Sequence, residues 1–102
     1  MKRIIVRYKV KPGQAGENEA LIARVFEQLQ REQPAGLRYA SFRAKDGVSF
    51  VHVVSLETAD GSNPLSEMAA FKAFTAGVKD RCEEPPVAVE LDAVGSYRFF
   101  GG

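Results

Sequence analysis

Apolar and polar positions alternate singly at the start of the chain. Ile4, Val6, Tyr8 and Val10 are interleaved with Arg3, Arg7, Lys9 and Lys11, and Ile5 is the one exception. Period-two alternation rich in β-branched residues predicts a strand over residues 3–11, broken by Pro12-Gly13. The period then changes. Ile22, Val25, Phe26 and Leu29 recur at helical spacing and predict an amphipathic helix over residues 16–33. Glu17 and Glu19 suit the positive end of its dipole, and Pro34 and Gly36 stop it. Two more strand-like runs, residues 37–45 and 48–57, flank Asp46-Gly47, a strong signal for a hairpin closed by a type I′ turn. That turn sets Arg43 opposite Phe50, Ser41 opposite His52 and Tyr39 opposite Val54. After a turn-rich stretch, Asn63-Pro64 supplies an N-cap and a first helical residue. Leu65, Met68, Phe71, Phe74 or Thr75, and Val78 follow one face of this second helix until Pro85-Pro86. A last strand is expected over residues 87–100, with a bend at Gly95.

Strand, helix, hairpin, helix, strand is the βαββαβ order of a ferredoxin-like α+β domain. Its natural solution is a four-stranded antiparallel sheet with both helices on one face. The hairpin register separates two faces. Ala40, Phe42, Ala44, Val51 and Val53 are compact and apolar, and form the expected seat of the helices. Leu37, Tyr39, Ser41, Arg43, Phe50, His52, Val54 and Leu56 then look outward. An apolar patch of that kind calls for cover, and a second copy of the chain related by a two-fold axis is the simplest cover. Tyr97-Arg98-Phe99-Phe100 is too apolar for a free tail and is expected to cross onto that partner.

Composition narrows the function classes. The 102 residues suit one domain spanning residues 1–102, and 45% hydrophobic with 26% charged residues is an ordinary globular balance. With 14 basic against 13 acidic residues the net charge is +1, which gives neither nucleic acid nor an anionic membrane a reason to bind. Cys82 is the only cysteine, so no intrachain disulfide and no cysteine metal cluster is possible. With no secretory signal at the N-terminus and no run long enough for a membrane helix, a cytoplasmic protein is expected.

The run Val10-Lys11-Pro12-Gly13, the hairpin ending Val53-Val54-Ser55-Leu56-Glu57, the segment Phe71-Lys72-Ala73-Phe74 and the closing Val94-Gly95-Ser96-Tyr97 together resemble the antibiotic biosynthesis monooxygenase-like family. The resemblance implies a dimeric α/β barrel: a homodimer with a pocket in each protomer between sheet and helices. It also implies a small apolar or aromatic ligand and, among the family's activities, oxygenation without a cofactor. Haem degradation, another of them, is disfavoured. Arg7 stands where those members carry Asn, about Thr75 where they carry His, and the chain has no Trp.

Among side chains able to do chemistry, His52 is the only histidine. A neutral imidazole suits a general base acting on a phenol or enol in an oxidation or an isomerisation, and Arg43 suits the holder of the resulting oxyanion. The bland alternative is a structural histidine satisfied by Ser41 or by a residue across the dimer. Tyr39, Arg7 and Tyr8 are candidate ligand contacts, each equally at home as an ordinary interface or salt-bridged residue. No cofactor and no metal site is expected, since one His and one Cys fall short of a ligand set. A non-catalytic ligand-binding or dimerisation module is the competing reading.

Overall fold

The computed structural model describes residues 1–99. The chain forms β1 (Lys2–Val10), α1 (Ala15–Glu32), β2 (Leu37–Arg43) and β3 (Ser49–Leu56). A short 3-10 turn at Pro64–Glu67 follows, then α2 (Ala69–Ala76), α3 (Val78–Arg81) and β4 (Cys82–Leu91). The strands make one antiparallel sheet in the order β2-β3-β1-β4. This is the ferredoxin-like α+β arrangement expected from the element order.

The hairpin register is the expected one, with Tyr39, Ser41 and Arg43 opposite Val54, His52 and Phe50. The turn that sets it is not type I′. Among the described residues outside glycine, only Gln33 and Arg98 have positive φ, so Asp46 does not. The connection is longer: Gly47, at φ 81°, donates to the Ala44 carbonyl, and Ala44 and Ser49 close the strands. The Asp46 carboxylate accepts from the amides of Val48 and Ser49 and from the Ser49 hydroxyl, which pins the loop.

The two faces of the hairpin are exchanged relative to expectation. Phe50, His52, Val54 and Leu56 are buried under the helices, while Phe42 is 52% exposed on the outside. The hairpin alone cannot decide this, because both of its faces carry apolar residues. The decision lies in β1. Its apolar set pairs with β3 as Ile4 to Val54, Val6 to His52 and Tyr8 to Phe50. Partners directly opposite share a face, so His52 joins the strongly apolar side of β1 and faces the helices. Tyr8, Val10, Val25, Phe50, Leu65 and Phe74 anchor the core between the layers. Each such side chain contributes roughly 1.5–3 kcal/mol when fully buried.

The second helical segment is broken. Met68 is extended, at φ −84° and ψ 130°, and separates the 3-10 turn from α2, and Gly77 separates α2 from α3. Its apolar stripe still packs inward, and Asn63 caps it through its side-chain oxygen and the Leu65 amide, 3.0 Å apart. Pro85-Pro86 lies inside a strand, since β4 starts at Cys82. β4 is an edge strand, and its register against β1 slips between Arg7 and Lys9, opposite Glu84 to Val87. An edge bulge tolerates residues without an N–H. The strand ends at Leu91, short of the extended run expected to Phe100, which itself lies outside the described residues.

Gly36 turns the chain between α1 and β2. At φ 75°, a Cβ there would meet Thr58 Cγ2 at 2.8 Å, whereas one on Gly47 would meet nothing within 4 Å. Both positions carry the left-handed penalty of roughly 1 kcal/mol, and only Gly36 adds a clash. Gly36→Ala is therefore expected to lower stability in urea denaturation by more than Gly47→Ala does; equal losses would refute the close approach.

Candidate functional site

His52 sits in the middle of β3, between two strands that each send a tyrosine toward it. Tyr8 of β1 stacks beside its ring at 5.3 Å between centroids, and Tyr39 of β2 lies at 5.9 Å on the other side. Phe74 of α2 tilts over the imidazole at 5.5 Å. Both ring nitrogens are engaged. Nε2 lies 2.7 Å from the Tyr8 hydroxyl; Nδ1 lies 2.6 Å from Ser41 Oγ and 2.9 Å from the Tyr39 hydroxyl.

The cluster continues into the helices. Asn18, in the first turn of α1 and fully buried, donates its amide to the Tyr8 oxygen at 2.8 Å. Arg81, at the end of α3 and also buried, donates Nε–H to Asn18 Oδ1 at 3.2 Å and Nη2–H to the Phe74 carbonyl at 2.9 Å. Its guanidinium lies 5.4 Å from the Phe74 ring centroid. Arg81 makes no ion pair with a carboxylate among the described residues. The amide oxygen, the carbonyl and the ring face take that place.

These contacts set the direction of the line from its helical end. Arginine can only donate, so Asn18 presents its oxygen to Arg81 and its NH₂ to Tyr8. The Tyr8 oxygen, already accepting from Asn18, gives its own hydrogen to His52 Nε2; otherwise the hydrogen of the more deeply buried of the two phenols would go unmade. The imidazole is then the Nδ1–H tautomer, assigned from the network, and donates toward Ser41 and Tyr39. Burial holds the His52 pKa down at about 4, so the ring is neutral at ordinary pH. Burial also raises the pKa values of Tyr8 and Tyr39, against the lowering effect of the Asn18 and Ser41 hydrogen bonds, so both stay phenols.

A cavity of about 290 Å³ opens beside this line, between sheet and helices. Val6, Val54, Leu65, Phe71 and Phe74 give it apolar walls, and Tyr39, His52 and Tyr8 give it one polar wall. No charged side chain lines it. Two other polar residues line it: Asn63, whose side-chain oxygen caps the Leu65 amide, and Thr75, whose hydroxyl bonds back to the carbonyls of Phe71 and Lys72.

Of the five residues singled out from the sequence, the structure brings together His52, Tyr8 and Tyr39 and separates the two arginines. Arg43 is exposed, pairs with Glu19 at 3.0 Å and is not among the residues that line the cavity beside His52. Arg7 is exposed on the opposite face of β1 from Tyr8, for the same alternation that buries the tyrosine. His52 itself faces the helices, not an outer seam. Cys82 is buried, and burial raises its thiol pKa, so it offers no thiolate. Asn18 and Arg81 were not singled out, yet a signal was present. Asn18 stands four before Ile22 and seven before Val25, and Arg81 stands three after Val78. Each is a polar residue on an apolar helical stripe.

No family model and no curated protein matches the chain. Solved structures do share its fold. An antibiotic biosynthesis monooxygenase superposes with a TM-score of 0.75 at 19% identity, over 93% of this chain and 100% of that one. A protein from Mycobacterium tuberculosis gives 0.74 at 17% identity, over 93% and 96% of the two chains. SnoaB from Streptomyces nogalater, a cofactor-independent oxygenase, gives 0.68 at 18% identity, over 93% and 94%. The chain thus has the α+β fold of the antibiotic biosynthesis monooxygenase structures.

The depressed pKa of His52 has a consequence for stability. Its ordinary value is 6.5 and its folded value about 4, so between these the unfolded chain binds more protons. Stability therefore falls as pH drops through that window, by up to about 1.4 kcal/mol per pH unit. Urea midpoints measured from pH 7 to pH 5 are expected to fall further for the wild type than for His52→Gln. Parallel curves would show that His52 is not buried as a neutral ring.

Proposed function

We propose that the protein binds a small, uncharged, largely apolar molecule of one or two rings in the cavity between sheet and helices, and that it does so as a homodimer of the monooxygenase-like kind. The observation that carries this reading is the cavity itself: apolar walls, no charged lining residue, and a single line of polar groups at Tyr39, His52 and Tyr8. Apolar pockets with a few convergent polar groups are the usual form of small-molecule sites.

Oxygenation without a cofactor is the reaction class that the fold neighbour SnoaB brings to mind. In such a reaction the substrate loses a proton and then reduces O₂ itself. The protein must supply an apolar enclosure and a path for the proton. Here the polar groups that such a substrate would meet are Tyr39, His52 and Tyr8, and no arginine lines the cavity with them. A second reading, binding without turnover, is favoured by one fact: the basic nitrogen of His52 is already occupied by the Tyr8 hydroxyl.

The homodimer rests on the outer face of the sheet. Phe42, Val87 and Val89 are 52%, 49% and 45% exposed there, and Phe99 lies beside Phe42 and Val53. An apolar sheet face of this kind is suited to a second copy. The face is the opposite one to that expected from the hairpin, and the argument for a partner transfers to it.

Two outcomes are expected. Oxygen uptake with a panel of hydroquinones should show turnover that Tyr39→Phe lowers at least tenfold; no turnover by the wild type would leave the binding-only reading. Light scattering after size exclusion should give a dimer at micromolar concentration, and Phe42→Asp should shift it toward monomer. A wild-type monomer would sink the dimer.

A further inference from the structure

The hydrogen-bond line that ends at the cavity has a fixed direction, and that direction selects the ligand. Arg81 donates to Asn18, Asn18 to Tyr8, and Tyr8 to His52. His52 Nδ1–H is then given to the pair formed by Ser41 Oγ, at 2.6 Å, and the Tyr39 hydroxyl, at 2.9 Å. The two hydroxyls hold two hydrogens of their own. Neither finds an acceptor in His52, because Nδ1 is already protonated. Ser41 borders a separate open depression with Phe42 and Arg43, and Tyr39 lines the cavity, so the Tyr39 hydrogen points the wall's polarity into the cavity.

We infer that Arg81 and Asn18 are positioning residues that make Tyr39 a hydrogen-bond donor to the cavity, and that the ligand is a small uncharged molecule presenting a carbonyl oxygen, as a ketone or quinone does. This rests on the proposed reading of the cavity as the ligand site. A carbonyl accepts and cannot donate, so it is the group whose affinity depends most on the direction of the line. The lack of a charged lining residue excludes a carboxylate as the preferred acceptor, since a desolvated anion would be left unpaired. Reversal of the line is available from one near-isosteric change. In Asn18→Asp the carboxylate accepts from Arg81 and from Tyr8. Tyr8 then accepts from His52 Nε2–H, Nδ1 accepts from the hydroxyl pair, and Tyr39 is left to accept from the cavity.

The test is a comparison of three matched probes by isothermal calorimetry: 1-tetralone, its alcohol 1-tetralol, and the parent hydrocarbon tetralin. For the wild type, 1-tetralone is expected to bind about tenfold more tightly than tetralin, the usual worth of one good neutral hydrogen bond. Tyr39→Phe should bring that ratio to about one. Asn18→Asp should remove the ketone's advantage while the alcohol, able to donate, keeps its own. A merely structural role for Asn18 would weaken all three probes together. Arg81→Met, which removes the fixed donor at similar volume, should lower the ketone ratio in the same way and serves if the acidic variant does not fold. A wild-type ratio near one, or a ketone preference unchanged in Asn18→Asp or Arg81→Met, would overturn the inference while leaving the cavity a binding site. Failure of all three probes to bind the wild type would overturn the cavity reading and the inference together.

Discussion

A guanidinium has hydrogens to give and no lone pair with which to receive. In this protein that asymmetry is buried, at Arg81, where water cannot blur it. Asn18 must turn its oxygen to the arginine, and the amide end is then the only face left for Tyr8. The phenol passes the direction on to His52, and His52 passes it to Ser41 and Tyr39. One immobile donor thus sets the protonation pattern of a line that crosses from α3 through α1 and β1 to β3 and β2. A buried polar line of this kind stabilises only when every member is satisfied. Each link from Arg81 to His52 is, which ties both helical segments to the sheet at one point.

The same line explains how the cavity can be apolar and still have chemistry. Sheet and helices are held apart by large side chains, among them Tyr8, Phe50, Phe71 and Phe74, and the space between them is lined mostly by carbon, with the Tyr39–His52–Tyr8 line along one edge. Burial that leaves His52 neutral also keeps Tyr8 and Tyr39 protonated. The wall is therefore uncharged, and neutral ligands meet no desolvated ion there. Helices cover this face of the sheet alone. The other face keeps Phe42, Val87 and Val89 exposed, so one face of the sheet encloses the cavity and the other presents bare apolar side chains.

Much of the fold is legible in the sequence because its signals are local. The period of β1, the stripe of α1, the hairpin register and the Asn63 cap all follow from neighbours within a few residues. The choice of buried hairpin face is not local. It depends on which strand lies beside β3, and the alternation of Ile4, Val6, Tyr8 and Val10 settles it only once β1 is paired there. The register was sufficient to set His52 next to Ser41 and near Tyr39. It could not show that Arg43 would turn to Glu19, because that pairing crosses 24 residues. Asn18 and Arg81 are harder still. Each reads as an ordinary helical residue until its position on an apolar stripe is given weight, and their meeting needs α1 and α3 in place. Pro85-Pro86 misleads for a related reason: a proline pair ends a helix by local rules, but an edge strand with a bulge accommodates it.

The tautomer of His52 in the unliganded wild type bears on all of this at once. Long-range ¹H–¹⁵N correlation spectra of the imidazole at neutral pH distinguish a protonated from an unprotonated ring nitrogen. The expected spectrum has the proton on Nδ1 and an unprotonated, hydrogen-bonded Nε2. A proton on Nε2, or on both nitrogens, would contradict the direction of the line and remove Arg81 as its source.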